Sequence, residues 1–524
     1  MALCALGCAV GFGIVAGGAE GGSSGADAAG LQQKPNIVVI TTDDQRFDEV
    51  TQATMPTVIN RIANRGTTFA NSFVTSPLCC PSRASFISGQ YGHNNGILAN
   101  FPGFPAMVDK HDVLPAWLHR AGYKTALVGK YLHGYVDAEA RSPAPGWDKW
   151  YAMLRPFKYF QLKLGVNGKI VHFPNRARDY LTSVLSRYAV RFVRRSVPRK
   201  RPFFLWFTPW APHESHPGTR ETARKRGARN NRCDGTAIPA PRDNGSFLEA
   251  PLPNPPSFDE FDVNDKPDFI RNALRFGEPG AHTRRDIVQR YRCRLASLPA
   301  VDRAIAKLLE TLEKAHELDN TVIVFTSDNG FFLGEHRLAL GKNLPYEEAI
   351  RVPLMIRLPT GVSLAAPGGV VHQPVANIDL APTLVELAGA QPCISSVQCR
   401  VMDGRSLVPL LRGDTSAWPQ DRGILIELRQ GNPCRYEAIR TPGNMYAEYV
   451  EEVDPATGTC EPSTQKELYD LQSDPFELTN LDPPGGDTDP SSLELELQER
   501  LEELRGCSGI QGRDPAPPRG RYCD

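Results

Sequence analysis

The sequence has no excess of charge of either sign, because lysine plus arginine and aspartate plus glutamate each number 59 among its 524 residues. A balanced chain offers no overall attraction for nucleic acid or for an acidic membrane face, so we predict no nucleic-acid partner. Local basic runs at 191–201 and 220–232 are typical of solvated surface. The length and the ordinary apolar content of 41% predict a large domain with a smaller one beside it.

The sequence also lacks any Cys-x-x-Cys spacing, although it contains 12 cysteines. That absence argues against a structural zinc site of the common kind. Disulfides formed in an oxidising compartment are the other explanation for so many cysteines.

The amino-terminal segment lacks the basic residues that usually open a signal peptide. Residues 2–19 are apolar, rich in glycine and uncharged, and 26–28 read Ala-Asp-Ala, a small-x-small cleavage point. The alternatives are a weak membrane anchor, against which the glycines argue, and an acylated Cys8. We predict a signal or targeting segment with a linker at 1–34, and an exported protein that is secreted or held in the cell envelope.

Four short apolar runs predict buried strands, and each is followed by polar side chains that can take part in chemistry. The runs and the residues that follow them are 36–40 with Asp43 and Asp44, 124–128 with Lys130 and His133, 203–207 with His213, and 321–325 with Asp328 and Asn329. Helical patterns at 56–65, 114–120 and 296–316 alternate with the runs, which predicts an α/β fold. In such sheets ligands bind at the carboxyl ends of the strands, so we expect these side chains to meet there.

The acidic and amide side chains of this set indicate a cation site. Asp43 and Asp44 are adjacent like charges, which need a cation to lie together without repulsion. The oxygens of Asp328 and Asn329 are ligands that hard cations prefer. The plainer alternatives are a solvated turn for Asp43 and Asp44 and a tight turn for Asp328 and Asn329.

The remaining chain divides into an irregular stretch and a smaller unit. Residues 214–276 are rich in proline, arginine, asparagine and aspartate, and we predict a loop that borders a cleft. From 424 onward the strand patterns are joined by hairpin punctuation at 441–444, and an amphipathic segment follows at 491–505. We therefore predict a large domain at 35–423 and a small α+β domain at 424–524.

The segment Cys79-Cys80-Pro81-Ser82-Arg83 combines a reactive side chain, a helix-starting proline and a fixed cation. Proline favours the first turn of a helix, so we predict a helix that begins near Pro81, with Cys79 just before it. A helix N-terminus favours an anion, and the Arg83 guanidinium adds a permanent charge. The sequence therefore predicts an oxyanion site with a nucleophile precursor at its mouth. Two buried thiols, or cysteines of structural disulfides, are the plainer alternative.

This segment and the Ala-Ser-Phe-Ile-Ser-Gly after it resemble the signature of the type I sulfatases, and further matches extend the resemblance over most of the chain. These matches are 41–45, 129–133, 211–213, 326–330 and 467–471. Within the family the chain is most similar to the glucosamine-6-sulfatases and related heparan-type sulfatases. The resemblance implies an alkaline-phosphatase-like catalytic domain with a mostly parallel central sheet flanked by helices. It also implies a small C-terminal α+β domain with an antiparallel sheet.

The resemblance implies a site and a reaction as well. Cys79 would be oxidised to formylglycine by a formylglycine-generating enzyme. The implied ligands of a calcium ion, with magnesium as the other candidate, are Asp43, Asp44, Asp328, Asn329 and the modified Cys79. Arg83 and Lys130 would stabilise the transferring group, and His213 and Lys342 would bind sulfate and help protonate the leaving alcohol. His133 would join them, although it follows the lysine by three residues where many family members have two.

The reaction implied is hydrolysis of a sulfate monoester, on a sulfated sugar similar to N-acetylglucosamine-6-sulfate. One alternative is a phosphate or phosphonate monoester hydrolase of the same superfold, against which the scarcity of His/Asp pairs for a second metal argues. The other is a non-catalytic glycan-binding relative, although every catalytic position holds a chemically competent residue. We interpret His336 as a residue of the cleft wall.

The cysteine count fits this interpretation. With Cys79 converted, Cys80 kept as a thiol, and the two amino-terminal cysteines set aside, eight remain, at 233, 293, 393, 399, 434, 460, 507 and 523. Pairing of neighbours gives four disulfides. Cys393–Cys399 and Cys507–Cys523 close short loops and are the favoured pairs.

Overall fold

A computed structural model describes residues 34–135, 142–199, 201–215, 233–362, 367–395, 398–416, 418–454, 457–485, 489–517 and 520–524. The predicted targeting segment and linker at 1–34, with its possible membrane anchor, lies outside the described residues except for Lys34, and the basic run at 220–232 lies outside them as well. In the part of the chain that is described, no helix combines the length and the apolar character that crossing a membrane requires.

The elements alternate through the first two thirds of the chain, as the apolar runs predict. The strands are β1 (Asn36–Thr42), β2 (Thr67–Phe69), β3 (Ser72–Phe73), β4 (Lys124–Gly129), β5 (Lys149–Met153), β6 (Lys163–Val166), β7 (Lys169–His172), β8 (Phe203–Thr208), β9 (Thr321–Ser327), β10 (Leu354–Arg357), β11 (Gly369–Val371), β12 (Val375–Ala376), β13 (Ile424–Leu428), β14 (Arg435–Arg440), β15 (Asn444–Val453), β16 (Cys460–Pro462) and β17 (Lys466–Asp470). The helices are α1 (Pro56–Arg61), α2 (Cys79–Ser88), α3 (Gly92–Asn95), α4 (Leu114–Arg120), α5 (Leu181–Ser196), α6 (Asp268–Arg271), α7 (Arg284–Lys314), α8 (Glu347–Ile350), α9 (Leu380–Leu387), α10 (Val408–Leu411) and α11 (Ser492–Arg505).

The central sheet has the strand order β11-β2-β10-β9-β1-β8-β4-β5-β6-β7. Its middle strands β9, β1, β8, β4 and β5 run parallel. Every residue of β1, β8 and β9 is buried, which explains why these strands are unbroken apolar runs rather than alternating ones. Helices α5 and α7, with α1, form one group that flanks the sheet, and α2, α4 and α9 form another.

A second sheet is antiparallel, with the order β13-β14-β15-β16 and β17 paired to β15, and α11 packs against it. The predicted α/β fold with a smaller antiparallel α+β unit is therefore confirmed. The core of the smaller sheet also contains Phe73, Tyr91, Phe332 and Tyr346 from the earlier part of the chain. Residues from both sides of the predicted boundary between 423 and 424 therefore pack in one core. The division into two domains at that boundary stays a prediction.

Four disulfides join neighbouring cysteines, as predicted: Cys233–Cys293, Cys393–Cys399, Cys434–Cys460 and Cys507–Cys523. Cys79 and Cys80 are buried and unpaired with any other described cysteine. The alternative that they are partners in structural disulfides is therefore wrong for this structure.

Candidate active site

The carboxyl ends of β1, β4, β8 and β9 bring the predicted polar residues to one edge of the sheet. Asp43 directly follows β1, Lys130 follows β4, and Asp328 follows β9, while His213 comes five residues after β8. The register aligns the ends of β1 and β9, and the backbone N–H of Asp44 donates to Asp328 Oδ1 at 3.1 Å. Adjacent parallel strands thus place residues far apart in sequence within hydrogen-bonding distance.

Cys79 is the first residue of α2, whereas the sequence predicts a helix that begins near Pro81. The helix begins earlier because the carbonyl of Leu78, an extended residue, accepts a hydrogen bond from the Ser82 backbone N–H at 3.0 Å. Cys79 Sγ lies 3.6 Å from Asp43 Oδ1 and 3.9 Å from Asp44 Oδ1, and Lys342 Nζ donates to it at 3.0 Å.

The Cys79 thiol is held in its neutral form. Burial raises the pKa of this thiol to about 12, although the charges of Lys130 and Lys342 act in the opposite direction. A neutral thiol is a weak nucleophile, since thiol reactivity belongs to the thiolate. The unmodified side chain is therefore poorly suited to attack an ester by itself.

Arg83 and Lys130 neutralise the carboxylates beside the thiol. The Arg83 guanidinium donates to Asp328 Oδ2 at 2.7 Å, to Asp43 Oδ2 at 3.3 Å and to the Lys130 carbonyl at 2.9 Å. Lys130 Nζ lies 2.6 Å from Asp43 Oδ2. Burial raises the pKa of Asp43, but the charges of Lys130, His213 and Arg83 lower it more, so the net pKa falls below its usual range. Asp43 therefore stays ionised although it is fully buried.

His213 and Lys342 approach the same carboxylates from outside the sheet. His213 Nε2 lies 3.5 Å from Asp44 Oδ2, and its Nδ1 donates to the Glu214 carbonyl at 2.7 Å. The ring stacks on Trp210 with 5.2 Å between centroids. Lys342 Nζ contacts Asp44 Oδ1 as well as Cys79 Sγ. Burial lowers the pKa of Lys342, but the charge of Asp44 raises it further, so the lysine carries its charge.

Comparison with known proteins assigns a family to this arrangement. A family model described as Sulfatase matches residues 35–390. The chain belongs to the sulfatase family. N-acetylglucosamine-6-sulfatase of Homo sapiens is 32% identical over 532 residues, which cover 93% of this chain and 87% of the relative. Arylsulfatase of Volvox carteri is 31% identical over 493 residues, which cover 87% of this chain and 72% of the relative.

Solved structures share the fold of this sulfatase. One is a complex with the substrate D-glucosamine-2-N,6-O-disulfate, with a TM-score of 0.69 and 26% identity, covering 90% of this chain and 98% of that chain. The phosphonate monoester hydrolase of Agrobacterium radiobacter has a TM-score of 0.66 at 19% identity, covering 93% of this chain and 99% of that chain. The chain therefore has the alkaline-phosphatase-like fold of the sulfatases, and it is a sulfuric ester hydrolase.

The family implies a metal ion, and the residues of this sulfatase fit one. Asp43, Asp44, Cys79 and His213 each offer a ligand atom, and these atoms lie within 4.8 Å of one another. Asn329 Nδ2 donates to Asp44 Oδ1 at 2.8 Å, while Asn329 Oδ1 is buried with no hydrogen-bond partner among the described residues. An orphaned amide oxygen beside buried carboxylates suits a hard cation. Asp328, a predicted ligand, is paired with Arg83 and is absent from this group of four. His213 belongs to the group, although the sequence did not predict it as a metal ligand.

The predicted catalytic residue His133 differs from expectation. The His133 ring is buried between Phe101 and Phe157, and no hydrogen bond of its Nδ1 is found among the described residues. Burial and the charge of Lys130 lower the pKa of His133 to about 2, so this ring is neutral. The structure thus leaves His133 without a hydrogen bond to the carboxylates. His336 is wholly buried, as are Asp43 and Lys130, and the interpretation of it as a cleft-wall residue stays a prediction.

Sequence reasoning also missed Arg294, which lies in α7 among several other arginines and so gives no local signal. Its guanidinium donates to both carboxylate oxygens of Glu49, at 2.7 and 2.9 Å, and to the carbonyl of Asp44. Asp44 has a φ of 62°, in the left-handed region that non-glycine residues rarely adopt. The contact with Arg294 supports that backbone conformation from below the site.

Proposed function

We propose that this sulfatase removes sulfate from 6-O-sulfated amino sugars of the N-acetylglucosamine-6-sulfate type. The observation that supports the proposal is the position of Cys79 at the N-terminus of a buried helix, between Lys342 Nζ and the carboxylates of Asp43 and Asp44. The names of the human relative and of the ligand in the solved complex support the choice of sugar.

We propose that Cys79 is oxidised to formylglycine by a formylglycine-generating enzyme. The hydrated aldehyde supplies one hydroxyl to attack sulfur and a second whose loss of a proton releases sulfate. A neutral buried thiol, as found at Cys79, lacks that chemistry. The N-terminus of α2 and the Arg83 guanidinium favour negative charge at this position before and during transfer.

The other side chains divide between binding the sulfate and handling protons. Lys342, in contact with Cys79, and Lys130, in contact with Asp43, are protonated cations that would offset the charge that develops on the sulfate oxygens. His213 donates through Nδ1 to a backbone carbonyl, so its Nε2 is the atom free to exchange a proton with the leaving alcohol. His133 remains a candidate catalytic residue on the resemblance alone.

A calcium ion, with magnesium as the other candidate, would be held by Asp43, Asp44, Asp328, Asn329 and the modified Cys79. Such a cation polarises the attacking oxygen and neutralises sulfate charge. The oxygen donors of this set favour calcium or magnesium over zinc. Thorough removal of calcium and magnesium should abolish turnover, and calcium should restore it; turnover that survives removal contradicts this ligand assignment.

We also propose that the protein is exported. The four disulfides support an oxidising compartment, and relatives of this chain include an extracellular sulfatase homologue of Drosophila melanogaster.

Two measurements test the proposed function. Mass spectrometry of the peptide that spans Cys79, in protein from its native host, should give the mass of formylglycine; an unmodified thiol refutes the modification. Parallel assays on N-acetylglucosamine-6-sulfate, on an aryl sulfate and on the matching phosphate and phosphonate esters should favour the sulfated sugar. Faster turnover of a phosphonate ester would instead favour the alternative of a phosphate or phosphonate monoester hydrolase, a class of enzyme whose fold this chain shares.

A further inference from the structure

A second cluster of buried titratable side chains lies outside the active site. His336, Glu348 and Glu477 are only 0%, 9% and 1% exposed, and one ligand atom from each lies within 4.8 Å of those of the other two. They come from the loop after β9, from α8 and from the loop after β17. The cluster shares no residue with the set around Cys79, and the family comparison assigns it no role.

The His336 ring is oriented by a carboxylate on its far side. Its Nδ1 donates to Glu260 Oε2 at 2.8 Å. Burial lowers the pKa of His336, but Glu260 and Glu348 raise it further, so an ion bound at Nε2 would take the place of a proton there. That Nε2 has no hydrogen-bond partner among the described residues, and it faces Glu348 Oε2 at 3.9 Å. Histidines that bind metal ions commonly donate their other nitrogen to a carboxylate in this way.

Each glutamate of the cluster has one anchored oxygen and one that is free. Glu348 Oε1 accepts from the Ser257 hydroxyl at 3.3 Å, and Glu477 Oε2 accepts from the Glu347 backbone N–H at 3.0 Å. Glu348 Oε2 and Glu477 Oε1 are buried without a hydrogen-bond partner in the described part of the chain. Buried carboxylate oxygens need a partner, because removing their hydration is costly.

The nearby cations already have other partners. Lys266 Nζ donates to the carbonyls of Glu477 and Leu478 and lies 3.5 Å from Glu260 Oε1, and Arg46 Nη1 donates to Glu335 at 2.7 Å. A proton shared between His336 and Glu348 is a poor alternative, because 3.9 Å is too long for a hydrogen bond. Two atoms bound to one zinc ion by bonds of about 2.0–2.2 Å lie about 3.3–3.6 Å apart in a tetrahedral site. His336 Nε2 and Glu348 Oε2 would therefore move together by a few tenths of an ångström to share an ion.

We propose that His336 Nε2, Glu348 Oε2 and Glu477 Oε1 bind a divalent zinc ion, with Glu260 orienting the imidazole. One imidazole with carboxylates favours zinc over calcium. The ion joins the segment between Asn329 and Lys342, which carries His336, to the loop after β17 in the antiparallel sheet. Its role is structural: it holds the loop that delivers Lys342 to Cys79.

The test is the zinc anomalous signal in crystals of full-length protein purified without chelator and without added zinc. We expect a peak within bonding distance of His336 Nε2. Crystallographic location is required, because unmodified Cys79 with Asp43 and Asp44 is also able to bind zinc. No peak beside His336, or a peak only after soaking in concentrated zinc, overturns the proposal.

A matched pair of variants tests the ligands. Glu477→Gln keeps the volume and should lose the peak beside His336, whereas Glu427→Gln should keep it. Glu427 accepts from a histidine, His93, whose other ring nitrogen is partnered by the Cys507 carbonyl, so that pair has no orphaned atom. A zinc-selective chelator in excess calcium should lower the melting temperature of the wild type and leave Glu477→Gln unchanged. A Glu477→Gln variant that retains zinc beside His336 contradicts the assignment, and so does a wild type whose melting temperature is insensitive to the chelator. If the variant does not fold, the wild-type crystal and the chelator measurement on the wild type decide.

Discussion

Replacing Arg83 with lysine separates the geometry of the guanidinium from its charge. Arg83 makes three hydrogen bonds, to Asp328, Asp43 and the Lys130 carbonyl, and is 1% exposed. A lysine retains the charge but only one of these contacts. The two lost bonds are charge-assisted or buried, at about 1.5–3 kcal/mol each, so we expect a loss of about 3–6 kcal/mol in the free energy of unfolding.

The same replacement should lower kcat/KM by about 10²–10³-fold, because a donor fixed beside the transferring group is lost. Arg422→Lys is the matched control: Arg422 is equally buried and makes a two-pronged pair with Asp379, away from the set around Cys79. The control should lose stability through one broken bond and keep its kcat/KM below its melting temperature. Calorimetry and initial rates on the sulfated sugar measure the two effects. An Arg83→Lys variant within tenfold of wild-type kcat/KM refutes the role given to the guanidinium.

Three further predictions concern other charges and a crosslink. Lys342→Met should reduce kcat/KM by about 10²-fold or more, since it removes the ammonium that contacts Cys79 and Asp44, and initial rates check this. Burial lowers the pKa of His93, but Glu427 and Asp403 raise it further, to about 9. Because this folded pKa lies above the unfolded value of 6.5, the pair of His93 with Glu427 stabilises the fold fully below about pH 6.5. That stabilisation, up to about 3 kcal/mol, is lost as the pH rises through 9. His93→Gln should remove that pH dependence from thermal melting between pH 6.5 and 9. Cys507→Ser with Cys523→Ser opens a bridge of sequence separation 16 and should cost about 3 kcal/mol, measured without reductant as a melting temperature lower than that of the wild type.

The position of the site could be predicted because parallel strands impose it. Unbroken apolar runs identify β1, β4, β8 and β9, and all of them end at one edge, so Asp43, Lys130 and Asp328 had to converge. No side-chain geometry is needed for that step. Among the disulfides, the sequence favoured Cys393–Cys399 and Cys507–Cys523 because they close short loops, and both are present.

Residues outside the strand ends were harder to place. The contact of Lys342 with Cys79 depends on the path of a loop after β9, which no periodicity records. His133 follows Lys130 closely in sequence, yet its ring turns into an aromatic pocket with Phe101 and Phe157. The Arg294 guanidinium donates a hydrogen bond to the backbone carbonyl of Asp44. Every residue has a backbone carbonyl, so such a contact has no sequence motif by which it could be predicted.

The segment that presents Cys79 rests on both cores of the molecule. Leu78, just before it, packs in the core of the antiparallel sheet, whereas Cys80, just after it, packs in the core of the central sheet. The carbonyl of Thr75 accepts a hydrogen bond of 3.0 Å from the backbone N–H of Glu427 in β13. Because a reactive side chain acts only when its supporting residues are fixed, the antiparallel sheet is part of the support of the active site. A boundary at 423 is therefore a division of secondary structure and leaves the segment that carries Cys79 without one of the two surfaces that hold it.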